Sequence, residues 1–199
     1  MSENLNVLIE VPKGSRNKYE YDSELGAIKL DRFLFSSMVY PVDYGMIPNT
    51  LGADGDPLDA MVCVSEPTFP GCIIPSIPLG LFRMTDDGEL DDKILCVPAD
   101  DHNWNYIESL DQLSGQLKEE ISHFFAVYKQ PEGKHVEVDG WYPLDSALEV
   151  LELSRERYRN GESDDFDALG ISYSDMLCDS WSNNFNYFLT GRRFCRRWT

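Results

Sequence analysis

The stretch Gly52–Met61, GADGDPLDAM, places three carboxylates, Asp54, Asp56 and Asp59, within six residues. A glycine and a proline between them are typical of a turn, and the mostly apolar run from Leu58 to Val64 is typical of a buried strand. Like charges in one turn repel each other unless a cation neutralises them or water solvates them fully. The stretch therefore predicts an acidic turn that leads into a buried strand of a β-rich body.

The composition is that of an acidic globular chain. Its 199 residues suit one domain with a sizeable core. The formal net charge of −18 disfavours binding to nucleic acid or anionic membranes, because both require basic surfaces. The N-terminal residues lack the features of a signal peptide, and no stretch is long enough to span a membrane. We therefore expect neither a nucleic-acid nor a membrane partner.

The cysteine pattern indicates the redox environment. The five cysteines are scattered, and no two of them form a CxxC pair. This pattern is typical of reduced thiols in a cytoplasmic protein. The three histidines, His102, His123 and His135, show no recognised zinc spacing with one another or with the cysteines. The sequence therefore predicts a cytoplasmic protein and gives little support to a zinc site.

The order of predicted elements favours an α+β fold. Hydrophobic periodicity predicts strands over residues 6–11, 27–30, 58–64, 73–82 and 93–97, and helices from Leu113 to about Pro131 and from Leu144 to Arg159. Prolines 75 and 78 favour an edge or a bend in the fourth strand. Because most strands precede the helices, the pattern does not indicate a parallel, doubly wound sheet.

The last forty residues differ in character from the rest. An acidic, turn-like segment over residues 162–167 is followed by aromatic residues and four arginines near the C-terminus. We therefore expect residues 1–159 to form the main domain and residues 160–199 to form a loosely ordered C-terminal extension. Docking of its aromatic residues on the main domain or on a neighbouring subunit is the alternative.

Two interpretations of the acidic turn remain open at this point. A calcium-binding EF-hand is excluded, because counting from Asp54 places Leu58 at position 5, where an oxygen ligand is needed, Asp59 at position 6, where glycine is needed, and Ser65 at position 12, where a bidentate glutamate is needed. A solvated turn and a magnesium site both fit the residues. Magnesium is usually held by one or two carboxylates together with water and substrate phosphates, so partners elsewhere in the chain decide between the two.

A second acidic turn and several cations supply such partners. Residues 84–93, MTDDGELDDK, form another acidic turn between apolar runs, and a barrel would bring both turns to one end. Cations occur beside tyrosines or carboxylates at Lys18, Arg32, Lys93 and Lys129. Each of them alone is typical of a surface charge. Together with bound metal they describe a site for a highly charged phosphate ligand.

The chain resembles the family I soluble inorganic pyrophosphatases, most closely the compact bacterial type. The DGDPLD segment at 54–59 matches the family signature, and further motifs follow in the family's order over residues 6–159. These motifs are IEVP at 9–12, NKYE at 17–20, DRF at 31–33, YPVDYG at 40–45, the 84–93 turn, HFF at 123–125 and YK at 128–129. The resemblance implies a five-stranded OB-like β-barrel flanked by helices.

The resemblance also implies roles for individual residues. Metal ligands are Glu10 (through water), Asp54, Asp59, Asp86 and Asp91, with Asp59 shared by two ions. Phosphate-binding groups are Lys18, Arg32, Tyr44, Lys93, Tyr128 and Lys129. Asp56 is the general base, a role sometimes given to Asp91, while Glu20 and Tyr40 support the site. Core packing is the alternative role for Tyr128, and closing the barrel end is the alternative for Tyr44.

The activity that the resemblance implies is magnesium-dependent hydrolysis of inorganic pyrophosphate to two orthophosphates. Two alternatives are a catalytically inactive barrel that serves as a binding module and a magnesium-dependent hydrolase of other phosphate compounds. The resemblance also implies a homohexamer, in which His123 matches a position at the subunit interface. Val127 and Gln130 stand at positions where other members of the family often have polar interface partners. The resemblance therefore implies that subunit contacts at these two positions differ from those of the family.

Overall fold

The computed structural model describes residues 4–161, which form eight strands and two α-helices. The strands are β1 (Leu5–Val11), β2 (Asn17–Asp22), β3 (Ala27–Phe33), β4 (Asp43–Met46), β5 (Asp59–Val62), β6 (Ile73–Asp86), β7 (Glu89–Pro98) and β8 (Val136–Pro143). The helices are α1 (Gly115–Val127) and α2 (Leu144–Arg159), with short 3-10 turns at Leu110–Gln112 and Gln130–Glu132. No helix in this part of the chain is long and apolar enough to cross a membrane.

Five strands pair around a ring. Their order is β1-β4-β5-β7-β6, and β6 also pairs with β1, so the two ends of the order meet. Only the β5–β7 pairing is parallel within this ring, and β8 adds to the outside of the ring along β6. Strands β2 and β3 form a separate two-stranded sheet. The predicted α+β class and the five-stranded barrel with flanking helices are confirmed.

Strand β6 is long enough to serve three neighbours. Its first residues pair with β1, and its remainder pairs with β7 on one side and β8 on the other. The register against β7 shifts between Pro78 and Gly80, which agrees with the bend that the prolines predict. At its end, Asp87 and Gly88 have positive φ angles of 50° and 92° and form a two-residue hairpin turn. This hairpin is the second acidic turn.

Two hydrophobic clusters surround the strands. Neighbouring residues along a strand enter different clusters, as Leu81 and Phe82 do on β6, because successive side chains point to opposite faces. One cluster includes Phe124 and Phe125 of α1, and the other includes Leu151 of α2. The two helices therefore cover different sides of the sheet.

Most predicted elements are found, and three strands are missed. The predicted strands correspond to β1, β3, β5, β6 and β7, and helix α2 begins and ends at the predicted residues. Strands β2 and β8 contain only short alternations, at Tyr19 and Tyr21 and at Val136 and Val138, and β4 has four residues and contains Gly45, so none gives a long pattern. The predicted extension lies almost entirely outside the described residues.

Asp43 at the start of β4 joins two loops to the barrel. Its side chain is fully buried and accepts hydrogen bonds from the Lys13 backbone N–H at 2.8 Å and the Thr68 backbone N–H at 3.1 Å. The Thr68 hydroxyl donates to the same carboxylate. One buried carboxylate therefore satisfies three donors from two loops.

Replacement of Asp43 by alanine should destabilise the fold by roughly 2–4 kcal/mol, because these buried donors lose their acceptor. The measurement is the free energy of unfolding in urea. Asp100→Ala, at an exposed position, is the matched control and should change it by less than about 0.5 kcal/mol. Equal stability of the two variants would contradict this role for Asp43.

Candidate active site

A cleft of about 320 Å³ lies where the acidic turn, the β6–β7 hairpin, β2 and the end of α1 meet. Ten of the twelve residues assigned to the site from the sequence line it: Glu10, Lys18, Tyr44, Asp54, Asp56, Asp59, Asp86, Asp91, Tyr128 and Lys129. Lys93 and Arg32 do not line it. Lys93 is buried beneath its floor, and Arg32 lies to one side in an ion-pair cluster.

The acidic turn is held in shape by its own backbone and by Thr50. The N–H of Gly52 donates to the carbonyl of Asp56 at 2.6 Å, and Gly55 has a φ angle of 92°, which favours glycine. The buried hydroxyl of Thr50 accepts a hydrogen bond from the Leu58 N–H at 2.9 Å and donates to the carbonyl of Ile47. These contacts fix the base of the turn while its carboxylates face the cleft.

The C-terminal half of α2 holds the turn from the other side. The Leu51 N–H donates to the carbonyl of Ser154 at 3.0 Å, and the Arg157 guanidinium donates to the carbonyl of Leu51 at 3.3 Å. The same helix contributes Tyr158 to the wall of the cleft. The turn therefore depends on tertiary contacts as well as on its own glycines.

Lys93 is the buried positive charge of the site. Parallel pairing places Asp59 at the start of β5 beside Lys93 on β7. The Lys93 ammonium donates to Asp59 at 2.6 Å, to Asp91 and to the Tyr44 hydroxyl at 3.3 Å, and the Tyr44 hydroxyl donates to Asp59. Burial alone would lower the pKa of Lys93, but the charges of Asp59 and Asp91 raise it. Lys93 is therefore protonated at neutral pH.

Four carboxylates that face the cleft are harder to ionise than in water. Burial raises the pKa of Glu10 to about 7, although the Tyr21 backbone N–H donates to this carboxylate. Burial is also the largest cause of the raised pKa of Asp54, Asp56 and Asp91, and neighbouring carboxylates add to it. The cleft therefore has a local excess of negative charge, which a bound cation would reduce.

The other two lysines of the cleft already have carboxylate partners. Lys129 forms an ion pair with Asp86, and Lys18 forms one with Glu20. The second oxygen of Asp86, Oδ1, is buried and has no hydrogen-bond partner in the described part of the chain. A buried carboxylate oxygen normally has a partner, so Asp86 Oδ1 is open to a further cationic ligand.

This donor set fits a hard divalent cation that keeps most of its water. Within residues 4–161, no three His, Cys, Asp or Glu side chains converge into a ready-made metal cage. None of the three histidines lines the cleft. Several separate carboxylates around one polar cleft suit magnesium, which needs few protein ligands and completes its shell with water and phosphate. Zinc, which prefers nitrogen and sulfur, does not fit these residues.

The two tyrosines serve both the core and the cleft. Tyr128 stacks on Phe124 with ring centroids 4.9 Å apart and packs on Tyr40, and it also lines the cleft. Tyr44 packs on Phe125 and bonds Asp59 through its hydroxyl. Core packing and a place in the cleft are therefore compatible for both residues.

Tyr158 and Glu132 are among the residues at or beside the site that escaped the sequence assignments. Tyr158 lines the cleft, and the helical spacing from Leu151 through Ser154 to Tyr158 was the available signal. Glu132 forms a partly buried ion pair with Arg32, which lies far away in the sequence, and no local pattern indicates this contact.

Comparison with known proteins agrees with this geometry. The family model described as inorganic pyrophosphatase matches residues 7–159. The chain is 60% identical over 152 residues to the inorganic pyrophosphatase of Methanosarcina acetivorans, covering 76% of this chain and 90% of that protein. It is 50% identical over 155 residues to that of Synechocystis, covering 78% and 92%.

Solved structures show the same likeness. The inorganic pyrophosphatase of Thermus thermophilus matches with a TM-score of 0.76 and 44% identity, covering 79% of this chain and 92% of that one. That of Helicobacter pylori matches with a TM-score of 0.76 and 38% identity, covering 79% and 94%. The chain therefore belongs to the inorganic pyrophosphatase family, whose enzymes hydrolyse inorganic pyrophosphate to phosphate and require a divalent metal ion.

Proposed function

We propose that this chain hydrolyses inorganic pyrophosphate to two orthophosphates in the cleft described above, with magnesium as the metal. The observation that carries the proposal is the meeting of two acidic turns with Lys18 and Lys129 around one cleft. Family membership supports the reaction. An inactive binding module would not need this full set of acids and cations, and the known family activity favours pyrophosphate over other phosphate compounds.

Five carboxylates would hold the metal. They are Glu10 through water, Asp54, Asp59, Asp86 and Asp91. When bound, magnesium supplies positive charge against the phosphate oxygens and makes water a better nucleophile by lowering its pKa. Asp59 is the proposed shared ligand, which agrees with its place between the acidic turn and the Lys93 ammonium.

The cations of the cleft would bind the phosphates. Lys18 and Lys129 are paired with carboxylates and can exchange those partners for phosphate oxygens, which keeps both charges neutralised. Arg32, Tyr44 and Tyr128 are the remaining proposed phosphate contacts. Lys93 acts from beneath, where its buried charge orients Asp59 and Asp91 and stabilises negative charge that develops above them.

Asp56 is the proposed general base. Its raised pKa, caused by burial and by Asp59, makes it a better proton acceptor than an ordinary aspartate. Asp91 is the alternative, and burial raises its pKa as well, but the Lys93 ammonium donates to its carboxylate and offsets part of that rise. The ion pair therefore favours Asp56 for the proton transfer and Asp91 for metal binding.

We also propose a cytoplasmic homohexamer that binds neither nucleic acid nor membrane, with residues 160–199 as a separate extension. His123 is exposed on α1, where a neighbouring subunit could contact it. Large apolar side chains exposed on the surface, Phe33, Phe35 and Phe69 among them, also favour a partner surface. A monomeric mass in light scattering at working concentration would contradict this assembly.

The purified protein should release phosphate from pyrophosphate when magnesium is present and should stop when the metal is chelated. We expect ATP and p-nitrophenyl phosphate to react at least about tenfold more slowly, because ATP carries its phosphates on a bulky nucleoside and p-nitrophenyl phosphate has only one phosphate. Steady-state phosphate release with each substrate measures this. No release from pyrophosphate with magnesium in excess would overturn the proposed function.

Asp59→Asn and Asp56→Asn should separate metal binding from proton transfer. We expect Asp59→Asn to weaken magnesium binding about 10- to 100-fold and to lower turnover, because a shared ligand is lost. Asp56→Asn should lower turnover about 10²- to 10⁴-fold with magnesium affinity changed far less, because only the base is lost. Calorimetric magnesium titration and kcat measure the two effects, with Asp111→Asn, exposed and remote from the cleft, as control. Wild-type magnesium affinity in Asp59→Asn would remove the shared-ligand role.

Removal of the extension after Asn160 should leave the hydrolysis intact. Every residue assigned to catalysis, metal or phosphate precedes residue 130 in the sequence. The measurement is kcat/KM for pyrophosphate, together with a melting temperature to show that the truncated chain is folded. A folded truncated chain without turnover would show that the extension contributes to the site.

A further inference from the structure

The ion pair between Arg32 and Glu132 is only half formed. Arg32 Nη2 lies 3.1 Å from Glu132 Oε2, and Arg32 Nη1 contacts Asp31. Arg32 Nε and Glu132 Oε1 are both buried and have no hydrogen-bond partner among residues 4–161. One unused donor and one unused acceptor therefore belong to two side chains that already touch.

The unused atoms match a second arrangement of the same pair. A guanidinium and a carboxylate pair most strongly through two parallel hydrogen bonds, for which Nε and Nη2 of arginine provide one fork. Leaving a buried donor and acceptor unpaired is costly. In the described arrangement, Arg32 Nη1 bonds to Asp31 and Nη2 bonds to Glu132, but the second bond of the fork, from Nε to Glu132 Oε1, is not formed. Release of Asp31 would allow Arg32 to complete it.

The two carboxylates that share Arg32 differ in exposure. The Glu132 side chain is 8% exposed, whereas that of Asp31 is 30% exposed. Hydrogen bonds to Glu132 and Asp31 raise the pKa of Arg32 despite its partial burial. A more exposed ion pair is weaker, since solvent screens it, so Asp31 is the partner that Arg32 can give up.

The pair also joins two elements that bear cleft lysines. Arg32 on β3 pairs directly with Lys18 on β2. Glu132 ends the 3-10 turn after Lys129, and its backbone N–H donates to the Lys129 carbonyl at 2.9 Å. Both lysines line the cleft. The contact between Arg32 and Glu132 therefore joins the β2–β3 hairpin, which carries Lys18, to the 3-10 turn that follows Lys129.

We propose that Glu132 is a positioning residue for Arg32: it completes a two-bond fork with Nε and Nη2 when Arg32 leaves Asp31, and so presents Nη1 to pyrophosphate. Asp31 is the competing partner that holds Nη1 when no phosphate is bound. The inference rests on the proposed function, because it assumes that Arg32 binds a phosphate. A purely structural ion pair is the alternative, and it predicts a loss of stability without a specific effect on substrate affinity.

The test compares Glu132→Gln, Arg32→Lys and the double variant in magnesium-saturated pyrophosphate hydrolysis. Glutamine keeps the shape of Glu132 but removes the charge, and lysine cannot form a fork. We expect Glu132→Gln to raise KM about tenfold with kcat changed less than about threefold. In the Arg32→Lys background, the same change should alter KM less than about twofold, because Glu132 has no fork left to position. Glu137→Gln, an exposed partner of His135, is the matched control and should behave as wild type.

Asp31→Asn provides an independent measurement if Glu132→Gln folds poorly. Removal of the competing charge should leave KM unchanged or lower it, whereas a rise in KM would show that Asp31 itself supports substrate binding. Unchanged KM in folded Glu132→Gln, an equal effect of this change in the Arg32→Lys background, or a tenfold rise in KM for Asp31→Asn would each overturn the inference. No hydrolysis by the wild type would instead reject the proposed function, and unchanged kinetics in Arg32→Lys would reject the role of Arg32.

Discussion

The rest of the site depends on the ion pairs that the buried Lys93 ammonium forms with Asp59 and Asp91. The Lys93 side chain is 1% exposed, and its charge is balanced by Asp59 and Asp91, which come from the two different acidic turns. The parallel pairing of β5 with β7 brings these groups together, so the barrel topology and the site share one constraint. Removing either carboxylate would leave a buried charge with less compensation, which is strongly unfavourable.

The same balance of charge explains how an acidic protein can act on a polyanion. Lys18 and Lys129 are held by carboxylates at the cleft, while Asp54 and Asp56 have no lysine partner there and Asp86 retains an unpaired oxygen. Divalent cations reverse the local sign of the potential when they bind to such acids. Metal bound at these acids would neutralise them in place of lysine and would leave the lysines available to phosphate.

The sequence predicted much of this because the acidic turns are local patterns. Asp54, Asp56 and Asp59 lie within one turn, and the strand after them is apolar enough to identify. The position of Lys93 beneath the floor follows from a long-range register, which local periodicity does not reveal. The contact between Glu132 and Arg32 is also long-range. Strand β4 was missed because four residues with a glycine are too few for a pattern.

The central claim is that the carboxylates around Lys93 form a binding site for divalent metal that serves phosphate chemistry. Its most direct measurement is anomalous X-ray scattering from crystals grown with phosphate and manganese. Manganese substitutes for magnesium and has a stronger anomalous signal. The account predicts manganese peaks in the cleft, with Asp59 and at least one of Asp54 and Asp91 as ligands, and phosphate beside Lys18 or Lys129. Well-ordered carboxylates with no manganese peak in the cleft, or manganese bound elsewhere alone, would contradict it.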